Sequence, residues 1–168
     1  MKILLVGMMG AGKTTVGHLL AGRFGCAYVD SDREVEEVTG HSVAELFASG
    51  GEGSFRSLET DALRRAVAGD DAVVVSVAGG AVLDPGNREL IRRSGTVVWL
   101  RADPATLARR VGTGAGRPLL DGDPAGALRR LDAARRPLYA EVADVVVDVD
   151  DLGPDAVAER VAQQASPG

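Results

Sequence analysis

The chain has 168 residues, 45% hydrophobic and 26% charged, with a net charge of −5. These are the proportions of one soluble globular domain with a real core, and the acidic balance excludes a general nucleic-acid-binding surface. A single cysteine, Cys26, excludes an internal disulfide and any CxxC metal or redox site.

In chain order, short apolar runs alternate with longer amphipathic ones. The run Met1–Val6 faintly imitates a signal peptide but stops at Gly7, too short for an h-region. No stretch approaches the ~18–20 apolar residues of a membrane span, so a soluble, cytoplasmic protein with no membrane association is expected. Strands are expected at Lys2–Val6, Ala27–Val29, Ala72–Ser76, Thr96–Leu100 and Asp144–Val149, nearly continuous in apolar character as in strands buried on both faces.

The helices between them have readable ends. Ser42 with Glu45 forms a capping-box pattern, and Gly50 is a plausible stop. A long helix starts near Gly53 and can end at Gly69. Asp84-Pro85 and Asp103-Pro104 each place a capping residue before a first-turn proline, and Gly153-Pro154 opens the last helix in a similar way. Strands separated by helices imply βαβ units, a parallel sheet and an α/β fold. Residues 112–126, rich in Gly, Pro and Asp, break this rhythm as a lid, binding loop or disordered segment would. Residues 162–168 read as a frayed tail.

Gly7-Met8-Met9-Gly10-Ala11-Gly12-Lys13-Thr14 matches GxxxxGK[ST], after a strand pattern and before a helix pattern at Thr15–Phe24. Glycines let the backbone curl so that its N–H groups converge on phosphate at a helix N-terminus. Lys13 would bridge the β- and γ-phosphates of ATP, and the Thr14 hydroxyl would coordinate Mg²⁺. Of the 19 basic residues only Lys2 and Lys13 are lysines; against a composition that favours arginine, a lysine at position 13 is not incidental.

What is absent narrows the class. The run Val73–Val77 ends in Ala78-Gly79-Gly80 rather than a carboxylate, and no strand ends in an Asn-Lys-x-Asp motif. Small-molecule and nucleotide kinases therefore remain, ahead of motor ATPases and GTPases. Asp30 and Asp32 end the second strand as D-x-D, where an open α/β sheet binds ligands. One carboxylate could support the Mg²⁺ shell and the other accept a hydrogen bond from the acceptor hydroxyl; alternatively, both merely start the following helix. Arg56, Arg117 and Arg135 cannot be chosen from the other arginines by pattern alone.

Taken together, the P-loop, Asp30/Asp32, Phe55-Arg56, Gly79-Gly80, Arg117-Pro118-Leu119-Leu120 and Arg135-x-Pro-Leu-Tyr resemble shikimate kinase, in family order and from about Lys2 to Val161. The resemblance implies a three-layer α/β/α P-loop kinase fold in one domain, with a five-stranded parallel sheet ordered 2-3-1-4-5. A substrate-binding region at about 31–60 and a lid at about 112–124 would complete it. It implies ATP-dependent phosphorylation of the 3-hydroxyl of shikimate, with Mg²⁺, in aromatic amino-acid biosynthesis. By position, Lys13, Asp32 and Arg117 would be catalytic. Gly10, Ala11, Gly12, Lys13, Thr14, Thr15, Arg110, Arg117 and Pro154 would bind ATP, with Arg110 and Pro154 flanking adenine. Asp32, Arg56, Gly79, Gly80 and Arg135 would bind shikimate, the arginines gripping its carboxylate. Thr14 and Asp30 would serve the metal.

The family usually has three glycines after the third strand, and here the first is Ala78, which is expected to be tolerated. The competing readings are a kinase of gluconate or a nucleotide, and a nucleotide-binding module without catalysis. His18, His41, Trp99, Cys26 and Glu36-Glu37 are expected to be structural, with Trp99 in the core, Cys26 buried and the glutamates on a solvated helix face. A monomer is the default expectation.

Overall fold

The computed structural model describes residues 1–165. Five strands, β1 (Lys2–Val6), β2 (Ala27–Asp30), β3 (Val73–Ser76), β4 (Thr96–Arg101) and β5 (Val145–Asp148), pair in parallel in the order β2-β3-β1-β4-β5. Leu4 lies opposite both Val75 and Val97, and Ile3, Leu4 and Leu5 are wholly buried in the central strand. Each expected strand is present with ends shifted by one residue or none. Continuous β-branched runs mark strands covered on both faces, which is why they could be read without alternation.

Among the described residues seven helices flank the sheet: α1 (Lys13–Phe24), α2 (Ser31–Thr39), α3 (Val43–Ala66), α4 (Pro85–Ser94), α5 (Pro104–Val111), α6 (Pro124–Val142) and α7 (Pro154–Ala165). Helix α1 packs on α7 and β3, and α6 packs on α4, α5 and β4. No helix among the described residues is long and apolar enough to cross a membrane.

The other lysine, Lys2, has a structural task. Its Nζ donates to the carbonyls of Val67, at 2.7 Å, and Gly69. A cation there satisfies terminal carbonyls of α3 and complements the helix dipole while fixing the turn into β3.

The capping box at α3 is complete: Glu45 N–H donates to Ser42 Oγ at 3.2 Å and Ser42 N–H to Glu45 Oε2 at 2.7 Å. The expected stop at Gly50 becomes a break at Gly51, whose φ of 72° no side chain adopts easily, and the helix then resumes to Ala66. Around this break, Val35, Phe55 and Ala62 form a small cluster separate from the main core, packed against Val43, Leu46, Phe47 and Leu58. Burying Phe55 is worth about 2–3 kcal/mol, so this segment is held by far less apolar area than the sheet.

Several expectations need correction. The segment 162–165 is not frayed: Ala162 and Ala165 are buried in the core on α7, while 166–168 lie outside the described residues. Small alanines carry little hydropathy, which hid this helical face. The irregular stretch ends earlier than residue 126, because Asp123 caps α6 by accepting from Gly126 N–H at 3.0 Å. Asp103 makes no side-chain cap; its N–H instead donates to the Asp150 carboxylate at 2.9 Å. Cys26 is half-buried rather than buried. Trp99 is core, with Arg101 and Arg136 over its ring.

Candidate active site

The chain reverses its direction of winding at β1, flanked by β3 and β4, and this opens a crevice at the carboxyl ends of the strands. The loop after β1 fills it. Gly12 is the N-cap of α1 with φ 98° and ψ 15°, and no side chain caps the helix. The first-turn N–H groups therefore remain available to an anion, and no acidic side chain in that turn opposes one. Gly7, at φ 145°, has the Leu100 carbonyl oxygen 2.7 Å from where a Cβ would stand, so the loop tolerates no side chain there.

A cleft of about 580 Å³ runs from this loop across the strand ends. Gly10, Gly12, Lys13, Thr14 and Thr15 line one end; Ala11 is buried behind them. Lys13 Nζ donates to the carbonyls of Gly7 at 2.8 Å and Met8 at 3.1 Å. Burial, partly offset by Asp32 and Asp30, brings its pKa down to about 8.

Asp30 and Asp32 divide their tasks. Asp30 is the N-cap of α2: its Oδ1 accepts from the N–H groups of Asp32 at 3.0 Å and Arg33 at 3.3 Å. Its Oδ2 accepts from the Thr14 hydroxyl at 3.4 Å and from Tyr28 Oη at 3.3 Å. Asp30 therefore starts the helix and also faces the P-loop threonine. The hydroxyl and carboxylate are hard oxygen donors, the set that suits Mg²⁺ when phosphates and water complete its shell. Asp32 lines the cleft, and burial, followed by the negative charge of Asp30, pushes its carboxyl above the usual range.

At the far end Arg56, Glu59, Gly79, Gly80 and Arg135 meet. Arg56 Nη1 sits 2.9 Å from both Glu59 oxygens, and its Nη2 donates to Glu52 at 3.2 Å. Arg135 is 2% exposed yet enters no ion pair among the described residues. The Nε atoms of both arginines are buried with no hydrogen-bond partner. Burying a cation without an anion costs several kcal/mol, and here the cost falls beside a cleft.

Both glycines lie close against the arginines. A Cβ at Gly80 would run into the Arg56 guanidinium, and one at Gly79 would lie 3.3 Å from Arg135 Nη1. Tyr139 Oη donates to the Gly79 carbonyl at 2.6 Å and fixes that turn. Ala78 has no left-handed backbone: among the described residues none other than glycine has positive φ, and Ala78 is buried with its N–H donating to Ser31 Oγ at 2.9 Å.

Arg117 is exposed on the lid-like segment and lines the cleft with Ala115, Gly116, Pro118 and Leu119. Leu120, wholly buried, roots that segment in the core. Arg110 and Pro154 are not on the cleft wall. Arg110 braces the back of the P-loop, donating to the carbonyls of Gly10 at 3.2 Å and Val149 at 3.2 Å, and Pro154 is the exposed first residue of α7.

Sequence reasoning passed over Glu59, Ser31, Tyr28 and the Tyr139 hydroxyl. Only Glu59 left a signal, since position i+3 from Arg56 on a helix is an ion-pair spacing.

Comparison with known proteins agrees with this geometry. The family model described as shikimate kinase matches residues 9–166. The shikimate kinase of Symbiobacterium thermophilum is 52% identical over 164 residues, covering 95% of this chain and 93% of that protein. That of Paramagnetospirillum magneticum is 47% identical over 95% of this chain and 81% of its own. The solved shikimate kinase from Acinetobacter baumannii, in complex with shikimate, superposes with a TM-score of 0.93 at 36% identity, over 97% of this chain and 91% of its own. The chain belongs to the shikimate kinase family.

Proposed function

We propose that the chain transfers the γ-phosphoryl group of ATP to the 3-hydroxyl of shikimate, giving shikimate 3-phosphate and ADP. The observation that carries the substrate assignment is Arg135, a buried guanidinium without an ion-pair partner, on the wall of the cleft that Asp32 also lines. Together with Arg56 it suits a compact ring acid, whose planar carboxylate matches the arginine fork.

The P-loop N–H groups and Lys13 bind the phosphates. Thr14 and Asp30 would hold Mg²⁺, which would supply positive charge against the phosphates. Asp32 binds the shikimate hydroxyls and takes the proton of the attacking one as the new P–O bond forms and the bond to ADP breaks. Its raised pKa makes it a better base than an exposed aspartate. Arg117 closes with the lid onto the transferring group and helps exclude water, which would otherwise compete as acceptor. Arg110 and Pro154 flank adenine at the outer edge of the P-loop. The protein works as a soluble cytoplasmic monomer, and residues 31–60 form its substrate-binding region.

The test is Mg²⁺-dependent ADP release with shikimate, gluconate, a nucleoside monophosphate or no acceptor, run beside Asp32→Asn. Release with shikimate alone, lowered about 10²-fold or more by the substitution, is the expected result. Release with another acceptor but not shikimate would overturn the substrate assignment and the arginine roles. Nucleotide binding without turnover on any acceptor would overturn the catalytic reading.

A further inference from the structure

The Mg²⁺ reading leaves one polar group without a task. Tyr28 precedes Asp30 by two residues on β2, so both side chains project to the same face of the strand. Its hydroxyl donates to Asp30 Oδ2, the oxygen that also accepts from the Thr14 hydroxyl. The other oxygen, Oδ1, is held by the two N–H groups of the helix cap. The carboxylate is thus fixed at both ends. A threonine that donates its proton to Asp30 keeps its lone pairs for a cation, so whatever orients Oδ2 also orients the Thr14 oxygen.

The phenol ring is itself held firmly. A Cβ on Gly17 of α1 would collide with the Tyr28 ring, so the glycine lets the ring lie flush against the helix that begins with Lys13 and Thr14. The His18 ring, from the next residue of α1, stands 4.0 Å away, centroid to centroid. A buttressed ring with a polar tip on the carboxylate is more than its apolar packing requires, since phenylalanine would fill the same space.

We infer that Tyr28 is a positioning residue for the metal site, orienting Asp30 and through it Thr14 for Mg²⁺ bound with nucleotide. This rests on the assignment of Mg²⁺ to Thr14 and Asp30. Tyr28 does not line the cleft, so it acts on metal affinity and not on shikimate.

Tyr28→Phe removes the hydroxyl and keeps the ring. Two readouts are compared with those of the parent protein: initial velocity against free Mg²⁺ at saturating ATP and shikimate, and the melting temperature alone, with ADP, and with ADP plus Mg²⁺. The expected result is a roughly tenfold rise in half-saturating Mg²⁺, the scale of losing an outer-shell partner. The shikimate KM stays unchanged, and kcat at saturating Mg²⁺ stays within about twofold. The melting increment from ADP alone persists, and the further increment from Mg²⁺ shrinks. Asp30→Asn is measured in parallel. If it shifts the Mg²⁺ dependence while Tyr28→Phe does not, the role of Tyr28 is overturned alone. If neither shifts it, the metal assignment falls and the inference with it. A Tyr28→Phe protein that loses the ADP-only increment as well would show a packing role, and that too overturns the inference.

Discussion

The Arg56 guanidinium lies so close against Gly80 that a Cβ on that residue would run into it. Arg56 is held there by Glu59 and Glu52, on the same helix. The absence of a Cβ at position 80 therefore sets where the guanidinium rests. Gly80→Ala should push Arg56 aside rather than unfold the turn, because the obstructed group is the far end of a flexible side chain. The shikimate KM is expected to rise at least about tenfold, the loss of one charge-assisted hydrogen bond, with the ATP KM unchanged. Stability should change by less than about 1 kcal/mol, within the ordinary range of single substitutions. Steady-state kinetics with each substrate varied, beside thermal denaturation, checks both halves.

Arg135 presents the opposite balance. Its charge is buried without an ion pair, so the folded protein bears a desolvation cost that substrate would relieve. Replacing it with a neutral side chain of similar length, Arg135→Met, should leave stability unchanged or raise it by about 1–3 kcal/mol. The same change should abolish measurable shikimate binding. Calorimetric titration and denaturant melts on one preparation would show the two effects moving in opposite directions.

Ala78 replaces the first glycine of the family's usual run without any left-handed backbone to accommodate. Its methyl is buried in the core and its N–H is used by Ser31. Ala78→Gly is accordingly expected to alter kcat/KM for shikimate by less than tenfold. It should cost about 0.5–1 kcal/mol of stability through greater chain entropy in the unfolded state. A more than tenfold gain in kcat/KM would mean that the methyl crowds the substrate.

The sheet was legible because buried parallel strands are written as unbroken apolar runs, and β1 to β5 are such runs. The P-loop was legible because its glycines answer to backbone geometry that few other residues satisfy, Gly12 at φ 98° among them. The site beyond it was not legible from pattern alone. Asp32 was marked by the D-x-D spacing at a strand end. Arg56 and Arg135 come from two different helices, nothing local distinguishes them from surface arginines, and only the resemblance chose them. Tyr28 and Ser31 stayed hidden for a further reason: a tyrosine in a strand and a serine opening a helix are already explained by packing and capping. The Ser31 contact with Ala78 and the Thr14 contact of the carboxylate that Tyr28 holds exist only once β2 lies beside β3 and α1.

Glu59 is the titratable group most open to a pH test. It is 2% exposed, and burial pushes its carboxyl up to about 7 from the ordinary 4.5, against the opposing pull of Arg56. The folded state thus binds this proton more tightly than the unfolded chain does. Its contribution to stability is fully present below about pH 4.5 and is lost as pH rises through about 7. Glu59→Gln keeps the shape and cannot ionise. The parent protein should therefore lose stability relative to Glu59→Gln between about pH 4.5 and 7, with a flat difference above that window. Urea melts at half-unit pH steps on both proteins would measure the difference curve. A curve flat across the window would mean that the Arg56 pair keeps Glu59 ionised despite its burial. The substitution also removes the acceptor charge that holds Arg56, so the shikimate KM should rise even where stability improves. Arg56 would then depend on Glu59 for its position as it depends on Gly80 for its room.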